Sequence, residues 1–207
     1  MFNRRVLSFA VSIIAAVALL LAYVPGPQST SKPEFMEILG DLQRQTDVEF
    51  VVFITPERLP NALALRREYA QELMPGVGIT THVILITQGL LDSEPPNMVA
   101  VTLGHEIGHL VTIFAEDEGD LTADRFYFDR FHAAPHDQYT YTEAAADIIG
   151  MKLARQAGYN YTDYPQRFQR VYRFINPPYI SLTMARENIV RNYIDATTNI
   201  LYRTFWR

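Results

Sequence analysis

His105-Glu106-Ile107-Gly108-His109 is the segment of this sequence whose residue types and spacing best suit chemistry. On an α-helix, positions four apart lie about 40° apart around the axis, so the two imidazoles can grip one ion. Glu106 projects about 60° away from His109, near enough to reach a water on that ion without ligating it. A catalytic zinc takes three protein ligands plus water, lowers the pKa of that water to about 7, and lets a carboxylate accept its proton during attack on a carbonyl. The flanks favour a bound metal over two core histidines spaced by chance. From Met98 to Phe114 the polar side chains outside this trio are Thr102 and Thr112. Such a helix is expected to be buried, where three ionisable groups are costly unless paired or metal-bound.

A third ligand has to come from elsewhere, and with no cysteine in the chain it must be His, Asp or Glu. A metzincin would carry Gly at 112 and His at 115, but Thr112 and Ala115 stand there, which excludes that class. Glu143-Ala144-Ala145-Ala146-Asp147 offers two carboxylates one helical turn apart on one face. Glu143 can close the metal site while Asp147 accepts the free ring N–H of a ligand imidazole. The three alanines let this helix approach the first one closely. Glu116, Asp117 and Glu118 are the rival donors, in what reads as a solvated acidic loop from Glu116 to Asp120. His132 and His136 flank Pro135 and make poor metal ligands; either, or Tyr139 or Tyr141, has the chemistry to hold an oxyanion, although surface loop positions are the plainer reading. His82 reads as a sheet residue. Tyr161, Tyr164, Phe168, Tyr172 and Phe174 read as core aromatics.

The elements that must position these groups are readable in outline. Phe35, Ile38, Leu39 and Leu42 predict an amphipathic helix from Glu34 to Gln45. Val48–Thr55 and Thr80–Thr87 read as strands, and Leu63–Met74 as a charged helix broken by Pro75-Gly76-Val77-Gly78. Helices are expected over Asn97–Phe114, over Thr142–Ala157 with Thr142 as N-cap and Gly158 as stop, and near Pro165–Ile175 and Ser181–Tyr202. The expected class is α+β, with a small sheet and several helices.

The remainder of the chain bears on setting. With 207 residues, one well-packed domain plus a short extra segment is expected. A net charge of −5, with Lys and Arg scattered, argues against a nucleic-acid partner. Arg4 and Arg5 precede an apolar run from Val6 to Val24, interrupted by Ser8 and Ser12. At about 1.5 Å per residue such a run reaches roughly 28 Å, enough to cross a bilayer core. The arginines favour a cytoplasmic N-terminus and an exported remainder, and a cleaved signal peptide is the alternative. Residues 1–24 are therefore expected to be a single-pass anchor, 25–33 a Pro-rich linker, and 34–207 the metallopeptidase domain in the periplasm or an equivalent space.

The pairing of His-Glu-Ile-Gly-His with Glu-x-x-Ala-Asp-x-x-Gly from Glu143 to Gly150 resembles the glutamate-zincin metallopeptidases of the HtpX, Oma and CAAX prenyl endopeptidase type. Asn61-Ala62-Leu63-Ala64, Gly78-Ile79 and Thr87-Gln88-Gly89-Leu90-Leu91 are similar to the segment before that family's zinc helix. The resemblance runs from about Asn61 to Gly158. It implies a zincin-like fold, one zinc at His105, His109 and Glu143, Glu106 as general base, and Asp147 supporting a ligand. It also implies that an edge strand, here Thr80–Thr87, pairs with an extended substrate. The chain departs from the family in a longer link from Leu65 to Val77. Pro177-Pro178 followed by Arg186 is a partial match to the family's late His-Pro turn and arginine. One candidate span stands where HtpX-type members have several.

The sequence therefore predicts a membrane-anchored zinc endopeptidase acting on protein or peptide. The alternatives are a zinc amidase acting on a cell-wall or other small amide, and a non-catalytic metal-binding envelope protein. Glu106 disfavours the last, because a purely structural zinc needs no general base.

Overall fold

Apolar residues every three to four positions build the first helix, α1 (Pro33–Gln43), which buries Phe35, Ile38, Leu39 and Leu42 as the spacing predicts. In the computed structural model, residues 33–118, 138–171 and 177–198 are described. The run Val6–Val24 lies outside them; among the described residues no helix is long and apolar enough to cross a membrane. After α1 come β1 (Phe50–Thr55), β2 (Ala62–Leu65), α2 (Arg67–Leu73), β3 (His82–Thr87), α3 (Gln88–Ser93), α4 (Pro96–Glu118), α5 (Gln138–Gln156), α6 (Pro165–Val171) and α7 (Pro177–Thr198). The class is α+β, as expected.

The strands form one three-stranded sheet in the order β1-β3-β2. β1 runs parallel to β3 and β2 antiparallel to it. This overturns two readings of the sequence. The stretch expected as one helix from Leu63 to Met74 divides into strand β2 and helix α2. Its Ala-Leu-Ala-Leu alternation fits a pleat: Leu63 and Leu65 pack against a small cluster with Ala70 and Ile79, while Ala62 and Ala64 turn toward the main core. Pairing with β3 outweighs the helix preference of Ala and Leu. The second correction follows, because Thr80–Thr87 is not an edge strand. β3 is central, and β2 is the edge beside α4.

Helix boundaries move for identifiable reasons. α4 continues through Glu118, so Glu116, Asp117 and Glu118 are helical and not a loop; the first glycine after His109 is Gly119. α5 starts at Gln138, a turn before Thr142, which is therefore inside the helix and not its N-cap. Its end is as read: Gly158 has φ 92°, and the Gly158 and Tyr159 amides donate to the carbonyls of Arg155 and Ala154. α7 begins at Pro177, where the sequence suggested a break, since a first-turn proline lacks only an N–H the helix does not use.

α4 and α5 meet backbone to backbone. A Cβ on Gly104 would lie 2.8 Å from the Gly150 carbonyl oxygen, and one on Gly108 would lie 2.7 Å from that of Ala146. A Cβ on Gly150 would lie 2.5 Å from the His105 amide nitrogen. Small residues four apart on both helices thus set the distance between the two segments read as chemical. In an isolated helix Gly→Ala gains about 1 kcal/mol. Gly108→Ala is expected to reverse that sign and destabilise by about 1–3 kcal/mol, because the obstacle is backbone. A thermal melt decides it: an unchanged or higher midpoint would show that the helices have room.

Candidate metal centre

α4 presents His105, Glu106 and His109, and α5 presents Glu143 and Asp147, across the glycine contact. The Nε2 atoms of His105 and His109 lie 3.0 Å apart. Glu143 Oε2 is 3.7 Å from His105 Nε2, and Glu143 Oε1 is 3.4 Å from His109 Nε2. The three residues form a group able to hold a metal ion. The structure brings Glu143 to the histidines.

Asp147 stands behind His105. Its Oδ1 lies 2.8 Å from His105 Nδ1, and an ionised carboxylate only accepts, so the ring N–H sits on Nδ1. The lone pair of Nε2 then faces His109 and Glu143. Asp147 is fully buried and takes further bonds from the Tyr164 hydroxyl at 2.6 Å, from Arg186 Nη2 at 2.7 Å and from Arg186 Nε. Burial alone would push its carboxyl up, but Arg186 and His105 hold it well below the usual carboxylate range. Arg186 also donates through Nη1 to Glu143 Oε2 at 2.7 Å, and its guanidinium carbon lies 5.3 Å from the Phe168 ring centroid. One arginine on α7 therefore orders both carboxylates of α5.

Glu106 is buried and outside the three-ligand group. Its Oε2 accepts the Ala64 amide of β2 at 2.8 Å, which joins the edge strand to α4. Burial pushes its pKa up. Burial also pushes His109 down to about 4. The unfolded value near 6.5 lies above this, so between pH 6.5 and 4 the unfolded chain binds the extra proton. The metal-free protein should lose stability as pH falls through that window, by on the order of 3 kcal/mol from this group. Urea midpoints from pH 7 to 4 check this: His109→Gln should flatten the slope, and parallel slopes would refute the assignment.

Sequence reasoning missed three participants. Arg186 was legible only as part of a weak motif match, Tyr164 reads as plain core, and the Ala64 amide carries no side-chain signal. Tyr161, Tyr164 and Phe168 are buried as expected. His82 opens β3 and accepts the Arg67 amide at 3.1 Å. His132, His136, Tyr172 and Phe174 lie outside the described residues; Tyr139 and Tyr141 fall in the helical backbone of α5. No family model, curated protein or solved structure matches the chain.

Proposed function

We propose that this chain is a zinc-dependent endopeptidase of the glutamate-zincin kind, with His105, His109 and Glu143 as ligands and Glu106 as general base. The convergence of the two Nε2 atoms, 3.0 Å apart, on the Glu143 carboxylate carries the reading, with Oε2 3.7 Å from His105 and Oε1 3.4 Å from His109. Tetrahedral zinc with bonds of about 2.0–2.1 Å requires ligand atoms about 3.3–3.4 Å apart. Two imidazoles and a carboxylate are also a donor set zinc accepts in catalytic sites. Zinc, when bound, supplies Lewis acidity toward a carbonyl and toward water. Glu106 accepts the proton, and its burial, which raises its proton affinity, suits that task. Asp147 and Arg186 keep His105 and Glu143 in place. The outer edge of β2 is where an extended peptide would pair, beside Glu106. The Val6–Val24 run would hold this domain on the outer face of a membrane, or direct its secretion if cleaved.

Zinc content and peptide cleavage of the purified full chain, measured with and without chelator, test the proposal. About one zinc per chain is expected, with cleavage lost on chelation and restored by zinc. Glu143→Ala should lower both zinc content and cleavage. Stoichiometric zinc with no cleavage of a mixed peptide library would favour a binding protein, and undiminished cleavage in chelator would rule out a metal enzyme.

A further inference from the structure

Arg167 of α6 stands one turn from the centre and has no part in the roles assigned above. Its Nη1 donates to Thr102 Oγ1 at 2.6 Å, and Thr102 is fully buried on α4. At about 100° per residue, Thr102 falls between His105 and Glu106 around the helix, about 6 Å toward its N-terminus from Glu106. The guanidinium is near enough for its charge to favour the ionised Glu106 carboxylate. Among the described residues, ion pairs engage Arg186 with both Glu143 and Asp147, and none engages Arg167. A hydroxyl needs one donor, whereas a guanidinium offers five and a permanent charge. The residue is partly exposed, so a substrate lying along this face of α4 would cover it. A covered cation is costly without a counter-charge.

We infer that Arg167 is a specificity-determining residue that binds a carboxylate on the substrate next to the cleaved bond. The inference rests on the peptidase reading for its role, though not for the binding itself. The carboxylate can belong to an Asp or Glu side chain or to the C-terminus of a peptide, and both present the fork geometry that Arg matches.

Two measurements on the full chain test it. The first is cleavage of a mixed peptide library with free and amidated C-termini, read by mass spectrometry. Acidic residues, or free C-termini, should be enriched about 10–100-fold beside the cleaved bond. Arg167→Gln should erase the enrichment and Arg167→Lys keep part of it. Loss of preference for amidated peptides alone would identify the terminal carboxylate. The second is titration of succinate and of succinamide into metal-free protein by calorimetry. Succinate should bind about 10–100-fold tighter than the diamide in the parent, and equally weakly in Arg167→Gln. If that variant is unfolded by circular dichroism, the parent comparison and Arg167→Lys decide. Cleavage without acidic preference and without succinate discrimination would overturn the Arg167 role and leave the peptidase reading standing. Arg167-dependent succinate binding with no cleavage would support the carboxylate site and count against the peptidase reading. Failure of both would end the inference.

Discussion

Glu106→Gln should keep its full complement of zinc and lose peptide hydrolysis by about 10²–10⁴-fold. The two parts of that result come from different atoms. On the proposed reading, metal content depends on His105, His109 and Glu143, the group that could hold an ion, and Glu106 is not part of it. The Ala64 amide binds Glu106 Oε2 at 2.8 Å, and a glutamine carbonyl oxygen can accept the same bond. The substitution thus preserves side-chain volume and the link to β2, while removing the site that takes the proton. A carboxamide is not a base near neutral pH. Equal folding of parent and variant, by melting midpoint, isolates the chemical step. Cleavage by Glu106→Gln at the parental rate would remove Glu106 from the mechanism, and loss of zinc would mean that it ligates the metal.

How much of this was legible in the sequence depends on the distance over which each signal acts. The histidines at 105 and 109 are four residues apart on one helix, so local periodicity is enough to bring them together. Glu143 lies on another helix, yet the three alanines after it announce close packing, and the glycine contacts between the helices bear that out. α1 was readable residue by residue for the same reason: its pattern is local. The misreadings concern tertiary choices. Ala62–Leu65 has helix-favouring residues and becomes a strand because β3 offers a partner, which no local preference encodes. That same choice decides which strand is the edge. Arg186 was legible only through the partial motif match, because its importance comes from being placed against Asp147, 39 residues away. An isolated arginine on a helix carries no spacing signal; only the buried acid it neutralises makes it necessary.

Arg186→Met should therefore be the most damaging single change outside the ligands themselves, costing about 3–5 kcal/mol of stability. That is a large share of the 5–15 kcal/mol typical of a domain. Methionine fills a similar length over Phe168 but removes the Nε and Nη2 bonds to Asp147 and the Nη1 bond to Glu143. Among the described residues, Asp147, 0% exposed, would keep His105 and Tyr164 against the cost of a buried negative charge. Its carboxyl, now held low by Arg186, would rise, and protonation would weaken its grip on the His105 N–H. Zinc affinity should fall with it by about 10–100-fold, the usual loss when the partner of a ligand is removed. Arg186→Lys should rescue little, since one ammonium does not reproduce a fork that serves two carboxylates. Adding Asp147→Asn to Arg186→Met separates charge from shape. If the leftover buried charge causes the damage, the double variant should recover much of the urea midpoint without recovering zinc affinity. A Met variant that unfolds within about 0.5 kcal/mol of the parent, the range of ordinary surface substitutions, would show that Arg186 does not hold the centre together.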